Sequence, residues 1–242
     1  IIDDGYGVIG HKITFPAYTT SASFDITPLL DFEVEGTETF EFRLYGMGNA
    51  NGIVSAASEM ITVTVANGTS NNVEIVVDWS QTYADSFGSL HPGEYLGNDE
   101  LMHEYCDFDF DLEVYDGAFG YYDTSYSSCP EQITIDATAP DDTYYIVPSL
   151  WELTGTAPAE DFAFDVKVTV AKPGVWKNEV HMLNWNTVDG GAQEGNPDAY
   201  VLSHVLEKTG TTYNLYNQDL DLVASGRSAS VINSIPKKTS KK

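Results

Sequence analysis

Cys106-Asp107-Phe108-Asp109-Phe110-Asp111-Leu112-Glu113-Val114-Tyr115-Asp116 alternates acidic and apolar side chains from Asp107 to Val114. That period of two belongs to a β-strand, whose successive side chains point to opposite faces. Phe108, Phe110, Leu112 and Val114 take one face, and Asp107, Asp109, Asp111 and Glu113 take the other. Read by itself, the stretch predicts a strand with one face in a core and an acidic face in water.

The same pattern recurs on both sides of this strand. Phe24 and Ile26 alternate with Ser23, Asp25 and Thr27 in the segment 12–27, which reads as two strands around a turn. Thr39–Tyr45, with Phe40, Phe42 and Leu44 on one face, and Ile61–Val65 follow. Further strands are predicted at Val73–Trp79, Gln132–Ile135, Tyr144–Val147 and Phe162–Ala171. Residues 173–199, rich in Gly, Asn and Trp, read as long loops, Tyr200–Leu206 as either a short helix or a strand, and Tyr213–Tyr216 with Leu220–Ala224 as a closing hairpin. Strand formers separated by Gly, Asn, Asp and Pro predict an all-β chain. The small polar run Asn67-Gly68-Thr69-Ser70-Asn71-Asn72 has the composition of a linker. It divides the chain into two tandem β-sandwich modules, 1–67 and 73–236, followed by the basic tail 237–242.

The charge balance limits the partners. Eleven Lys and Arg stand against 37 Asp and Glu, a formal net charge of −26 over 242 residues. Such a surface repels phosphate backbones and anionic head groups, which argues against nucleic acid as a partner. No stretch approaches the roughly 20 apolar residues of a membrane-spanning helix. The chain begins Ile1-Ile2-Asp3-Asp4 without an initiator Met or a signal peptide, and so reads as a processed or partial chain.

Two resemblances sharpen this reading. Asp31-Phe32-Glu33-Val34-Glu35-Gly36-Thr37-Glu38-Thr39-Phe40, preceded by Ile13-Thr14-Phe15-Pro16-Ala17, resembles the signature of a Calx-β domain, an immunoglobulin-like sandwich. The likeness covers 13–66 and implies that the domain's first strands lie upstream of Ile1. Members of that family in ion exchangers bind calcium, and the positions that match are Asp31 and Glu35. Leu30 stands where the family has a further acid, and Ala66-Asn67-Gly68 where it has an acidic cluster. Residues 73–171 resemble, more loosely, the bacterial pre-peptidase C-terminal (PPC-type) sandwich. The likeness rests on Asp109–Asp116, Cys129-Pro130-Glu131-Gln132-Ile133-Thr134 and Asp142-Thr143-Tyr144-Tyr145-Ile146-Val147. Together they imply a bacterial exported protein, on the cell surface or a surface lipoprotein.

Candidate sites follow from residue type. Asp107, Asp109 and Asp111, about 6.5–7 Å apart along one face, with Asp116 beyond the strand end, want water, a basic partner or a cation; calcium is the candidate, with six to eight oxygen ligands required. Cys106 and Cys129 pair as a disulfide in an exported protein and remain two thiols in a cytosolic one. Tyr121 and Tyr122 in a loop, and Trp176 and Trp185 in the Gly/Asn-rich stretch, are candidate contacts for a glycan, or else large rings sealing a small core. His11, His91, His103, His181 and His204 form no zinc-binding spacing. A Gly-x-Ser-x-Gly elbow and a Gly-rich phosphate loop are lacking. The expectation is a non-catalytic surface protein serving adhesion, spacing or an outer-membrane or extracellular assembly as an accessory subunit. The alternatives are a glycan-binding module of a polysaccharide-utilisation system, and the accessory domains of a secreted hydrolase.

Overall fold

The structure, a computed structural model, describes residues 2–3, 9–10, 18–21, 23, 32–34, 36–44, 55, 59–66, 68–84 and 90–227. Among them the chain is all-β, as the alternation predicts, with several antiparallel sheets and one 3-10 turn, Tyr105–Asp107. Two short strands, β1 (Ile2–Asp3) and β2 (Ile9–Gly10), pair near the start. β3 (Glu38–Arg43) and β4 (Met60–Val65) form a hairpin in full register from Glu38–Val65 to Arg43–Met60. Asp31, Glu35, His11 and most of the predicted strand pair at 12–27 lie outside the described residues.

The second part is a two-layer sandwich. Its four-stranded sheet runs in the order β12-β5-β14-β15. The strands are β5 (Val73–Asp78), β12 (Glu131–Ile135), β14 (Val166–Lys172) and β15 (Trp176–Met182). The facing sheet has six strands in the order β11-β10-β13-β16-β17-β18. They are β10 (Asp109–Tyr115), β11 (Tyr121–Ser125), β13 (Thr143–Glu152), β16 (His204–Thr209), β17 (Thr212–Asn217) and β18 (Leu222–Arg227). Two small hairpins, β6 (Tyr83–Ala84) with β7 (Leu90–His91) and β8 (Glu94–Leu96) with β9 (Met102–Glu104), lie between β5 and β10 in the chain.

Alternation decides which side chains meet between the layers. Val73, Ile75 and Val77 of β5, Ile133 and Ile135 of β12, and Val166, Val168 and Val170 of β14 are buried against Phe110, Leu112 and Val114 of β10. Tyr144, Ile146, Leu206 and Leu215 extend the same core. A chain of rings closes one end: Trp79 to Phe110 at 5.0 Å, Phe110 to Phe164 at 5.2 Å and to Trp185 at 5.4 Å, Phe164 to Phe108 at 4.9 Å. The last three of these contacts are edge-to-face, a packing that adds about 0.5–1.5 kcal/mol per pair beyond area burial. Both indoles that reach furthest in keep a partner, Trp79 Nε1 donating to Phe108 O and Trp185 Nε1 to Ala199 O.

Three expectations change. The stretch 173–199 contains strand β15; it escaped notice because β15 is a sheet edge whose Glu179, Val180 and His181 are exposed, which breaks the alternation. The ambiguous segment 200–206 is a lone bridge at Tyr200 followed by the start of β16. Tyr121 and Tyr122, expected in a loop, lie in strand β11. The second half of the polar run 67–72 is tied to the sandwich. The buried ammonium of Lys172 donates to Asn71 O at 2.6 Å and sits 4.3 Å from the Tyr213 ring centroid. Ser70 N donates to Pro173 O, and Ala137 N to the Asn72 side chain. A buried ammonium requires acceptors, and these carbonyls supply them.

Cys106 and Cys129 stand at disulfide distance, with Cα atoms 5.7 Å apart and a sequence separation of 23. The bond ties the entry of β10 to the turn before β12, and Cys129 packs on the core. A crosslink closing a loop of this size contributes about 3 kcal/mol through the unfolded chain. Replacing both cysteines by serine is expected to lower the unfolding free energy by about that amount, measured by urea titration, and reductant is expected to destabilise the native protein but not the double variant. Equal stability of the two proteins without reductant would show that the cysteines are not bonded.

Candidate ligand-binding face

The outer face of the six-stranded sheet is set by the strands' register. Tyr121 of β11 pairs with Tyr115 of β10, Tyr115 with Tyr145 of β13, and Tyr145 with Val205 of β16. The row continues through Tyr216 of β17 to Leu222 of β18. Directly opposed residues share a face, so four tyrosines line one row across the sheet. Tyr121 is 63% exposed. The Tyr115 and Tyr121 ring centroids lie 4.8 Å apart. Phe119, 71% exposed, stacks on Tyr145 at 5.0 Å and 16°.

Behind this row lie the acids of β10. The sequence predicts them in water; instead Asp111 is 6% and Glu113 5% exposed. The covering groups are tyrosines from outside the strand's apolar face. Tyr115 Oη donates to Glu113, and Tyr126 Oη donates to the other oxygen of the same carboxylate at 3.2 Å. Tyr200, bridged to Ser149 of β13, is close enough for Glu113, Asp111 and Tyr121 to act on it electrostatically. Burial, followed by these acids, raises its phenol pKa. Tyr115 is likewise raised, by burial first and then by its bond to Glu113.

Asp111 is pushed up to about 7, by burial first, then by Asp109, Glu131 and Glu113. Every charged group named there is another carboxylate. Burial also raises Asp109, and it raises Glu131, which is fully buried yet accepts from Ser125 Oγ and the Ser128 amide. Opposite Asp111 across the β10–β13 ladder is Ser149, fully buried, its Oγ without a hydrogen-bond partner.

The other predicted site residues scatter. Asp107 lies in the 3-10 turn, 3.7 Å from His103 Nδ1. Asp116 caps its own turn, accepting from the Ala118 and Gly120 amides. Asp109 flanks a shallow cavity of about 300 Å³ beside the Cys106–Cys129 pair, lined also by Phe108, Ser127, Ser128 and Thr154. Among the described residues no group of three or more His, Cys, Asp or Glu is placed to hold a metal ion together. Of the predicted glycan contacts only Tyr121 offers an open ring. Trp185 and Trp176 are buried in the core, and Tyr122 turns inward onto it, packing edge-on against Tyr144 at 4.9 Å. The residues missed were Tyr115, Tyr145 and Tyr216, which only the strand register gathers, and Phe119, Tyr126 and Tyr200, which join them by stacking on Tyr145, by a bond to Glu113 and by a bridge to Ser149.

Comparison with family models, curated proteins and solved structures finds no match among any of them.

Two buried groups titrate in opposite senses. Asp111, raised, favours folding below its ordinary pKa and loses that advantage as pH rises through about 7. His204, buried with Nε2 on Asn178 Oδ1 and lowered to about 4, favours folding above 6.5 and loses that advantage as pH falls toward 4. The variant Asp111→Asn isolates the first. It is expected to melt higher than the parent at pH 8 and to lose that lead as pH falls to 5, read by thermal melts across the range. A lead unchanged with pH would show that Asp111 does not titrate in this window.

Proposed function

We propose that the chain is a non-catalytic binding module of an exported protein, and that the outer face of its six-stranded sheet holds an extended polysaccharide. The observation that carries the reading is the cross-strand row Tyr121–Tyr115–Tyr145–Val205–Tyr216, with Phe119 stacked on Tyr145. Neighbouring strands lie about 4.8 Å apart, close to the advance of one pyranose in an extended chain. Successive sugars can therefore meet Tyr121, Tyr115 and Tyr145 in turn, the buried Val205 separating these rings from Tyr216. The apolar C–H face of a sugar lies against a ring, while hydroxyls reach the phenols and carboxylates beside it. A phenol ring is well suited to this, with an apolar body and a polar tip.

Charge narrows the ligand. At −26 the chain repels anionic polymers, which leaves neutral or cationic glycans. The paired cysteines support an oxidising, extracytoplasmic setting. Adhesion or accessory duty in a surface assembly is the work such a module does there, and the Calx-β and PPC-type resemblances of its two parts agree with that setting.

Affinity electrophoresis through gels containing soluble β-glucan, xylan, mannan or chitosan tests the reading. Retardation by at least one polymer is expected, weakened several-fold by Tyr121→Ala and by Tyr145→Ala, with melting temperature showing that each variant folds. Unretarded migration in every gel would overturn it.

A further inference from the structure

The tyrosine row also carries chemistry that stacking does not use. Tyr115 of β10 and Tyr121 of β11 are direct cross-strand partners, their ring centroids 4.8 Å apart and their planes inclined by 31°. Tyr115 Oη donates to the buried carboxylate of Glu113. Tyr121 stands 63% exposed beside it, its phenol close enough to act on Tyr115 electrostatically. The other tyrosine rings that meet among the described residues lack this combination. Tyr122 and Tyr144 pack edge-on at 74° with Tyr144 buried, and Tyr95 and Tyr105 lie 5.9 Å apart with Tyr95 buried.

A phenol gives up an electron more readily when a positioned base takes its proton in the same step. Glu113 is so placed for Tyr115, and solvent serves the exposed Tyr121. We propose that Tyr115 and Tyr121 form a site of oxidative modification, where a peroxidase-type one-electron oxidant joins the two rings as dityrosine. Each phenol loses one electron and its phenolic proton, the proton of Tyr115 passing to Glu113 and that of Tyr121 to water. The two radicals couple, and a carbon–carbon bond forms between positions ortho to the two oxygens. The hydrogens on those carbons move to the oxygens and restore both phenols. The chain loses two hydrogens in all. One hydrogen peroxide takes up the two electrons and two protons and is reduced to two waters.

The place in the fold gives this bond a use. β11 is the edge of its sheet, and its ladder with β10 shifts register between Val114 and Tyr115, at the pair itself. An edge strand has a neighbour on one side only, and the least supported segments open first. Cys106–Cys129 ties the opposite end of the β10–β11 segment. A link between Tyr115 and Tyr121 pins the near end, and with it one end of the aromatic row.

Treating the folded protein with a haem peroxidase and one equivalent of hydrogen peroxide tests the site. The chain is expected to stay monomeric, to gain dityrosine fluorescence and to lose the mass of two hydrogens. Cleavage after acidic residues cuts at Asp116, between the two tyrosines, so the linked product is expected as a crosslinked peptide pair holding Tyr115 and Tyr121. Tyr121→Phe is expected to abolish that pair. Glu113→Gln is expected to slow its formation several-fold, whereas Tyr126→Phe, which removes the other phenol on Glu113, leaves the rate within about twofold; melting curves show that each variant folds. Absence of the Tyr115–Tyr121 peptide pair, whether nothing reacts or only chain-to-chain dimers form, would overturn the site. Formation at the native rate in Glu113→Gln would overturn the part given to the carboxylate.

Discussion

The period of two along β10 fixes both halves of this molecule's chemistry. Phe110, Leu112 and Val114 must point one way, and they fill the space between the sheets. Asp111 and Glu113 must then point the other way, and no shift of register can change one set without the other. The strand sits second from the edge, paired to β11 on one side and β13 on the other. Its outward side chains are therefore flanked by those of two neighbours, which is why a face that would otherwise be wet lies under tyrosines.

Burying those acids is costly, and the structure shows which part of the cost is offset. Glu113 receives two phenolic donors, and Glu131 receives a hydroxyl and an amide. For Glu131 those bonds favour the charged form, against the burial that raises its pKa. Asp111 receives none and stands among like charges, and burial together with those charges pushes its pKa up to about 7. The contrast with Lys172 is instructive. That ammonium is just as buried, but two backbone carbonyls and the Tyr213 ring surround it, and the result is a structural tie between the segment before β5 and the sandwich. One buried charge is tied by backbone carbonyls; the other is buried with only carboxylates acting on it.

How much of this could be read in advance depended on range. The strand around Phe110 and the closing hairpin of β17 and β18 follow from local alternation, and the structure contains both. The tyrosine row does not, because Tyr121, Tyr115, Tyr145 and Tyr216 become neighbours only through pairings between distant segments. Asp111 was legible as a strand residue and illegible as a buried one. An acid alternating with apolar residues is by default a solvated side chain, and the phenol beside it, Tyr200, comes from outside the strand. Trp176 and Trp185 allowed two readings, glycan contact or core ring, and the structure places both rings in the core. Their Gly/Asn-rich surroundings suggested an exposed loop, yet rings of that size are what closes the end of a sandwich core.

Sequences that fold well satisfy local and global demands together, and the places where they do not are where function is found. By that measure the chain has one conspicuous exception on its described surface. The core is apolar and the deep indoles of Trp79 and Trp185 are bonded. Among the unpartnered buried polar atoms, Trp176 Nε1 and His204 Nδ1 belong to large rings whose apolar bodies serve the packing. Ser149 has no such excuse: alanine would fill its place without an orphaned hydroxyl, and asparagine at 111 would relieve the repulsion among the acids. Above neutrality, where Asp111 is ionised, both changes would favour the folded state. The sequence nonetheless sets a carboxylate and a hydroxyl opposite each other across the β10–β13 ladder, beside an aromatic row, and gives neither a hydrogen-bond partner among the described residues.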